Sequence, residues 1–237
     1  TAPPTSTAPP TTAAPLTTTL PPRPIALGFV GDIHMIREMS ENDPLTQVTE
    51  ILSAPDLTFA TLETVVGERD EVGTPPIDKR FIFRSPPVTL DLLEAAGVDV
   101  LGMANNHSWD YGPAGLESTS ARVAASGLTG VGVGPTVDDA YAPAFVEVDG
   151  RTVGVVSLTR VPCDWSASGE NTRPEVAWTC DPFVADALAA VSAADAVADF
   201  TIAMLHWGIE ATHCIEPWQR DLATAYIDRG ADLVVGA

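Results

Sequence analysis

Basic residues are scarce in this chain. Its 237 residues hold 12 Lys and Arg against 32 Asp and Glu, a formal net charge of -20. No Lys/Arg cluster offsets that charge, so a nucleic-acid backbone or an anionic membrane would be repelled. No nucleic acid is therefore expected among its partners, whereas a metal cation would be welcome. The acidity could equally do no more than keep the protein soluble. Cysteine is also sparse. Cys163, Cys180 and Cys214 lack the spacing of a zinc finger or knuckle. Cys163 and Cys180 bound a polar, Trp-containing segment that a disulfide would staple, leaving Cys214 unpaired unless its partner lies outside this chain. No apolar run approaches the roughly 20 residues needed to cross a bilayer. Gly130, Gly132 and Gly134 are not followed by the GKS/T of a phosphate-binding loop. Ser157 lacks a nucleophile-elbow sequence, and no spacing of Asp and His selects a serine for a triad. No internal repeat is evident.

Residues 1–24 are almost wholly Thr, Pro and Ala. That composition buries too little apolar surface to offset the entropy of ordering, and repeated Pro favours an extended, solvated backbone. A disordered Thr/Pro-rich linker is expected there, followed by one domain over 25–237. Such stalks often join an export signal or anchor to a folded module. The expectation is a secreted or extracellular protein, tethered to the cell envelope or free, whose signal has been removed.

Apolar runs and turn signals then alternate. Strands are predicted over Ile25–Val30, Leu57–Leu62, Val98–Met103, Thr129–Val133, Thr201–Leu205 and Asp232–Val235. Asp149-Gly150 between Phe145–Val148 and Thr152–Leu158 predicts a hairpin. Helices are predicted over Pro44–Leu52, Pro86–Ala96, Pro113–Ser126, Asp181–Val197 and Glu216–Arg229, with Asp43 and Asp181 as caps followed by Pro at the first position. Phe81 and Phe83 predict a short strand, Gly67–Lys79 a loop, and Arg160–Cys180 a long loop. Strands alternating with helices predict a layered α/β fold of mixed sheets flanked by helices.

Four apolar strands hand over to polar clusters: Asp32 with His34, Glu63, Asn106 with His107, and His206 with Glu210. Ligands of open α/β sheets gather beyond the carboxyl ends of strands, so these clusters could meet in one cleft. Carboxylates supply hard oxygen ligands and imidazole supplies nitrogen for Mn, Fe or Zn. Ions held there acidify water and steady charge on a leaving group. Each residue also has a plain reading. Asp32 could cap a turn, His34 could be a loop residue, and Glu63 could pair with Arg84. Asn105 and Asn106 could be turn formers. His107 near Asp110 could be a catalytic acid, an oriented ligand or a buried structural group, and His206 a half-buried histidine.

Taken in order, further motifs carry a resemblance. They are Gly31-Asp32, Thr58-Phe59-Ala60 with Leu62-Glu63, Phe83-Arg84-Ser85-Pro86, Asn105-Asn106-His107 through Asp110-Tyr111-Gly112, Leu205-His206-Trp207-Gly208, Gln219-Arg220 and Gly230 to Gly236. From Ile25 onward the chain resembles the CapA family of bacterial capsule and poly-gamma-glutamate synthesis proteins, which look like calcineurin-type metallophosphatases. The resemblance implies Asp32, His34, Glu63, Asn106 and His206 as ligands of one or two divalent ions (Mn, Fe or Zn). It implies His107 and Asp110 as catalytic groups, and Arg84 and Asn105 as substrate contacts. Metal-dependent hydrolysis of a phosphoester or gamma-glutamyl amide would follow. The implied partners are an anionic cell-surface polymer or its precursor and an envelope synthesis complex. The alternative is a non-catalytic polymer-binding or export scaffold. Two departures stand out. Thr61 replaces the family's Asn before Leu-Glu, and the family pattern continues past Gly236 with a His-Pro-His-type segment. A C-terminally incomplete domain, with weak or absent two-metal activity, is the resulting expectation.

Overall fold

A computed structural model describes residues 23–35, 42–76, 79–161 and 175–237. The linker up to residue 22 and Cys163, with the disulfide expected of it, lie outside those residues. Cys214 is a free, exposed thiol.

Two four-stranded sheets form the centre. The first takes β1 (Leu27–Ile33), β2 (Leu57–Leu62), β5 (Val100–Gly102) and β6 (Thr129–Val131), all parallel, in the order β1-β2-β5-β6. A two-stranded pair, β3 (Val65–Val66) and β4 (Arg84–Ser85), sits beside it. The second sheet takes β7 (Ala144–Val148), β8 (Arg151–Thr159), β9 (Phe200–His206) and β10 (Leu233–Gly236) in the order β10-β9-β8-β7. Only β7 and β8 run antiparallel in it. Their turn is Asp149-Gly150, at φ 51° and 73°. Positive φ at both positions matches the twist of a two-residue hairpin, which is why that dipeptide is legible.

The strands are apolar on both faces because each separates two cores. Alternate residues of a strand face opposite sides. Phe59 and Val100 of the first sheet meet Val155, Ile202 and Met204 of the second in a core between the sheets. The intervening residues Ala60, Leu62 and Leu101 pack beneath Leu90 and Leu93 of α3 (Val88–Ala96) and Val123 of α4 (Gly112–Ala125). On the far side, Val156, Leu158, Ala203 and Leu205 pack against Ala187, Ala190 and Val191 of α6 (Val184–Asp195) and Tyr226 of α7 (Pro217–Ile227). The layers therefore run helix, sheet, sheet, helix, which bears out the α/β class with mixed sheets and flanking helices. Three short helices, α1 (Thr49–Leu52), α2 (Arg69–Val72) and α5 (Val137–Tyr141), complete the described elements.

Some predicted elements shift. Residues 44–48 wind as turns, so the helix expected from Pro44 begins only at Thr49. The helix expected from Asp181 starts at Val184 with Phe183 at its cap, because Phe183 N donates to Cys180 O and closes a turn first. The expected Gly67–Lys79 loop contains α2, whose Glu68 and Glu71 form a capping box. The strand expected at Phe81 and Phe83 lies one residue later, at Arg84–Ser85, since Phe83 is drawn into a ring stack described below. Among the described residues no helix is long and apolar enough to cross a membrane.

Candidate metal centre

Parallel pairing sets the carboxyl ends of β1, β2 and β5 side by side, and β9 of the other sheet ends next to them. Asp32 comes from β1, Glu63 follows β2, Asn106 follows β5, and His206 closes β9. One donor atom from each of Asp32, Glu63 and His206 lies within 4.8 Å of the others. These three form a candidate metal site, lining a cavity of about 460 Å³ together with Asn106. Glu210 and His213, the latter of no weight in the sequence reading, line the same cavity. The burial is graded: Asp32 is exposed, Glu63 partly buried and His206 buried.

His206 bridges the two sheets. Its Nε2 lies 2.8 Å from Asn106 Oδ1, and its Nδ1 3.3 Å from Asp32 Oδ1. Asn106 Oδ1 can only accept, so with the amide so oriented Nε2 carries the proton. Nδ1, at the opposite edge of the ring, faces the Asp32 carboxylate. Among the described residues this buried Nδ1 has no hydrogen-bond partner. Glu63 Oε1 lies 3.7 Å from His206 Nε2. Burial first, and then the charge of Asp32, push the Glu63 carboxyl above its ordinary pKa. Two carboxylates and an imidazole nitrogen form a hard-to-borderline donor set that fits a divalent Mn, Fe or Zn, while the Asn106 amide oxygen lies on the Nε2 side of the ring.

The expected catalytic pair lies beside this centre. His107 Nδ1 is 2.6 Å from Asp110 Oδ2, while Nε2 stands 3.8 Å from Glu63 Oε1. Asp110 is wholly buried and also accepts from Phe83 N at 2.7 Å. It reaches the cavity only through the imidazole that it orients. Phe83 is sandwiched between two histidine rings, with centroids 4.3 Å from His34 and 3.9 Å from His107. His34 is thus not one of the three converging donors. It is close enough to Glu63 to oppose that group's upward shift, and it lines a neighbouring cavity.

Two expected contacts are placed differently. Asn105 is buried, and its amide is wholly engaged: Nδ2 donates to Leu62 O at 2.8 Å and Oδ1 accepts from His107 N at 2.9 Å. It shapes the turn carrying Asn106 and His107, which leaves it no free group for a substrate. Arg84 does not pair with Glu63. Its Nη1 donates to Gly67 O at 2.7 Å.

Lys79 escaped the sequence reading. It is the only lysine in the chain. Its Nζ lies 2.9 Å from Asp110 Oδ1, 3.1 Å from His107 Nδ1, and donates to Asn106 O at 2.8 Å. Its uniqueness was a visible signal, yet nothing in loop sequence says that a lysine turns inward.

A two-sheet α/β sandwich with an Asp-Glu-His donor cluster at its strand ends is consistent with a metallophosphatase-like fold. Residues 26–237 match the family described as Bacterial capsule synthesis protein PGA_cap, and the chain belongs to that family. The PGA biosynthesis protein CapA of Bacillus subtilis (strain 168) is 30% identical over 220 residues, 90% of this chain and 56% of that protein. The capsule biosynthesis protein CapA of Bacillus anthracis is 26% identical over 219 residues, 90% of this chain and 53% of the relative. A protein of Mycobacterium tuberculosis (strain ATCC 25618 / H37Rv), described as a "Probable polyglutamine synthesis accessory protein", is 33% identical over 193 residues, 78% and 50% of the two chains. The chain spans about half the length of these curated relatives.

Proposed function

We propose that this chain is a metal-dependent hydrolase module of capsule or poly-gamma-glutamate metabolism, secreted or tethered at the cell envelope, that cleaves a phosphoester or gamma-glutamyl amide. The observation that carries this reading is the convergence of Asp32, Glu63 and His206 at one rim of the sandwich, with one donor atom of each within 4.8 Å of the others. Those three residues would hold the ion, and Asn106 would steady the His206 ring through Nε2. When bound, a divalent ion supplies Lewis acidity at an ester or amide oxygen.

The protein's own groups do the rest. Asp110 fixes the His107 ring through Nδ1, which leaves Nε2 on the Glu63 side, placed to hold or pass a proton near a leaving group. Phe83 keeps that ring from turning by stacking on it. Arg84 retains guanidinium N–H groups beyond the one bonded to Gly67, suited to an anionic substrate. The partners this reading assigns are an anionic cell-surface polymer or its precursor, and an envelope synthesis complex.

Metal analysis after loading with Mn, Fe or Zn tests the proposal. One ion per chain that is lost in Asp32→Ala and His206→Ala supports it, and two ions would bring His34 into the ligand set. Phosphoesterase and gamma-glutamyl hydrolase assays with each metal should then give turnover that His107→Gln abolishes. Silence with every metal would sink the hydrolase reading. The "accessory" description of the mycobacterial relative favours a second reading, a polymer-binding module without chemistry. Under it, polymer binding persists with no ion bound.

A further inference from the structure

A second cavity, of about 440 Å³, backs onto the first. The wall between them carries Glu63 on one lining and its chain neighbour Thr64 on the other, and Phe83 of the second lining stacks on His107, whose Nε2 stands 3.8 Å from Glu63 Oε1. The electrostatic character reverses across that wall. The first cavity carries Asp32, Glu63 and Glu210, whereas the second is lined by Arg69 and Arg84 and, among the described residues, by no carboxylate. In a chain with 32 acidic and 12 basic residues, two arginines facing one pocket without a counter-ion is not what a merely soluble surface would produce.

The arginines differ in how they are held. Arg84 is tied to Gly67 O through one nitrogen, which fixes the guanidinium and leaves its other N–H groups without a partner among the described residues. Arg69 is exposed and makes no ion pair or hydrogen bond among those residues. Tyr111, also on the lining, adds a hydroxyl donor with no partner there. Guanidinium groups of this kind match planar oxyanions in paired N–H contacts.

We propose that this second cavity is an oxyanion subsite that seats a free carboxylate of an acidic polymer while the neighbouring bond lies against Asp32, Glu63 and His206, a proposal that rests on the hydrolase reading of the first cavity. A repeating polyanion presents such a carboxylate at each unit beside each scissile link. The subsite therefore registers the polymer, choosing which link reaches the donor cluster.

The probe is a short gamma-linked glutamate oligomer, titrated calorimetrically into the full chain at low ionic strength, where screening is weak. The same oligomer with amidated carboxylates and inorganic phosphate are titrated alongside. The acid oligomer should bind and the amidated one should not. Arg84→Gln and Arg69→Gln should each weaken binding by roughly tenfold, Arg84→Lys by less, and Arg69→Glu, at an exposed position, by more than Arg69→Gln. Asp32→Ala should retain oligomer binding. Unchanged affinity in Arg69→Glu and in Arg84→Gln, with circular dichroism intact, overturns the subsite. So does equal binding of the amidated oligomer. Phosphate that binds more tightly than the oligomer and displaces it also overturns it, making the cavity a phosphate site. Failure of metal uptake with arginine-dependent oligomer binding intact sinks the hydrolase reading alone, and metal uptake with arginine-independent binding sinks the subsite alone.

Discussion

Lys79 Nζ lies 2.9 Å from Asp110 Oδ1, and this ion pair is almost wholly enclosed, with side-chain exposures of 11% and 0%. The single lysine of the chain thus supplies the positive charge beside the carboxylate that orients His107. A buried pair of this kind adds little net stability, because desolvation cancels much of the attraction. Removing one partner is another matter, since it strands a buried charge.

Lys79→Met is therefore expected to destabilise the fold by about 3–5 kcal/mol, read as a lower urea midpoint. Adding Asp110→Asn should recover much of that loss, because the amide oxygen still accepts from Phe83 N without needing a cation. A double variant no more stable than Lys79→Met would show that the lysine acts by packing alone.

Glu63 gives a pH signature in the metal-free protein. Its folded pKa is raised above the unfolded value, so the folded state binds its proton more tightly. Its contribution is fully present below the unfolded pKa, and stability falls as pH climbs from there through the raised folded value. Glu63→Gln should flatten that part of the stability-pH curve and stabilise the metal-free protein at neutral pH. The check is the difference between the two melting curves from acid to neutral pH. A difference that grows in the opposite sense would refute the assignment.

Metal should reverse that balance. An ion that binds only the folded chain stabilises it by about 2.7 kcal/mol at a hundredfold excess over its dissociation constant. Mn, Fe or Zn should accordingly raise the melting temperature of the wild type, and leave Asp32→Ala and His206→Ala unmoved. Equal shifts in all three proteins would locate binding elsewhere.

Gly97→Ala probes the fold apart from the site. Gly97 ends α3 at φ +94°, and an added Cβ would come within 2.7 Å of Ser53 Cα. Strain and contact together predict a loss of more than about 1 kcal/mol, with metal uptake unchanged. Chemical denaturation and metal analysis of the same sample separate the two effects.

The parts of this structure visible from sequence are those set by burial and local geometry. Leu57–Leu62 was readable to the residue because every side chain in it is buried. The Asp149-Gly150 hairpin was readable because both turn residues take positive φ. Asp32, Glu63 and His206 were readable as a group because parallel strands deliver their carboxyl ends to one rim. What stayed hidden depends on distant partners. Val65–Val66 and Arg84–Ser85 are strands only through each other, and two residues carry no period. The helix Val137–Tyr141 has its Thr136 cap, accepting from Asp139 N, but is too short to show a face. Asn105 resembles a surface amide until its partners Leu62 O and His107 N are known. Lys79 resembles any loop lysine until Asp110 is placed.

The contact between Asn106 and His206 joins groups carried by different sheets. The two halves of the sandwich are held in alignment by the apolar layer around Phe59 and Ile202 and by a few polar links, among them Ala104 N donating to Ser157 Oγ and the backbone pairing of Val133 with Val176. A slip of one layer over the other, by no more than the width of an atom, would part the imidazole from its neighbours while leaving each sheet's own backbone bonds whole. Ion retention is then a gauge of alignment between the halves, and it should fade on warming before either sheet begins to melt.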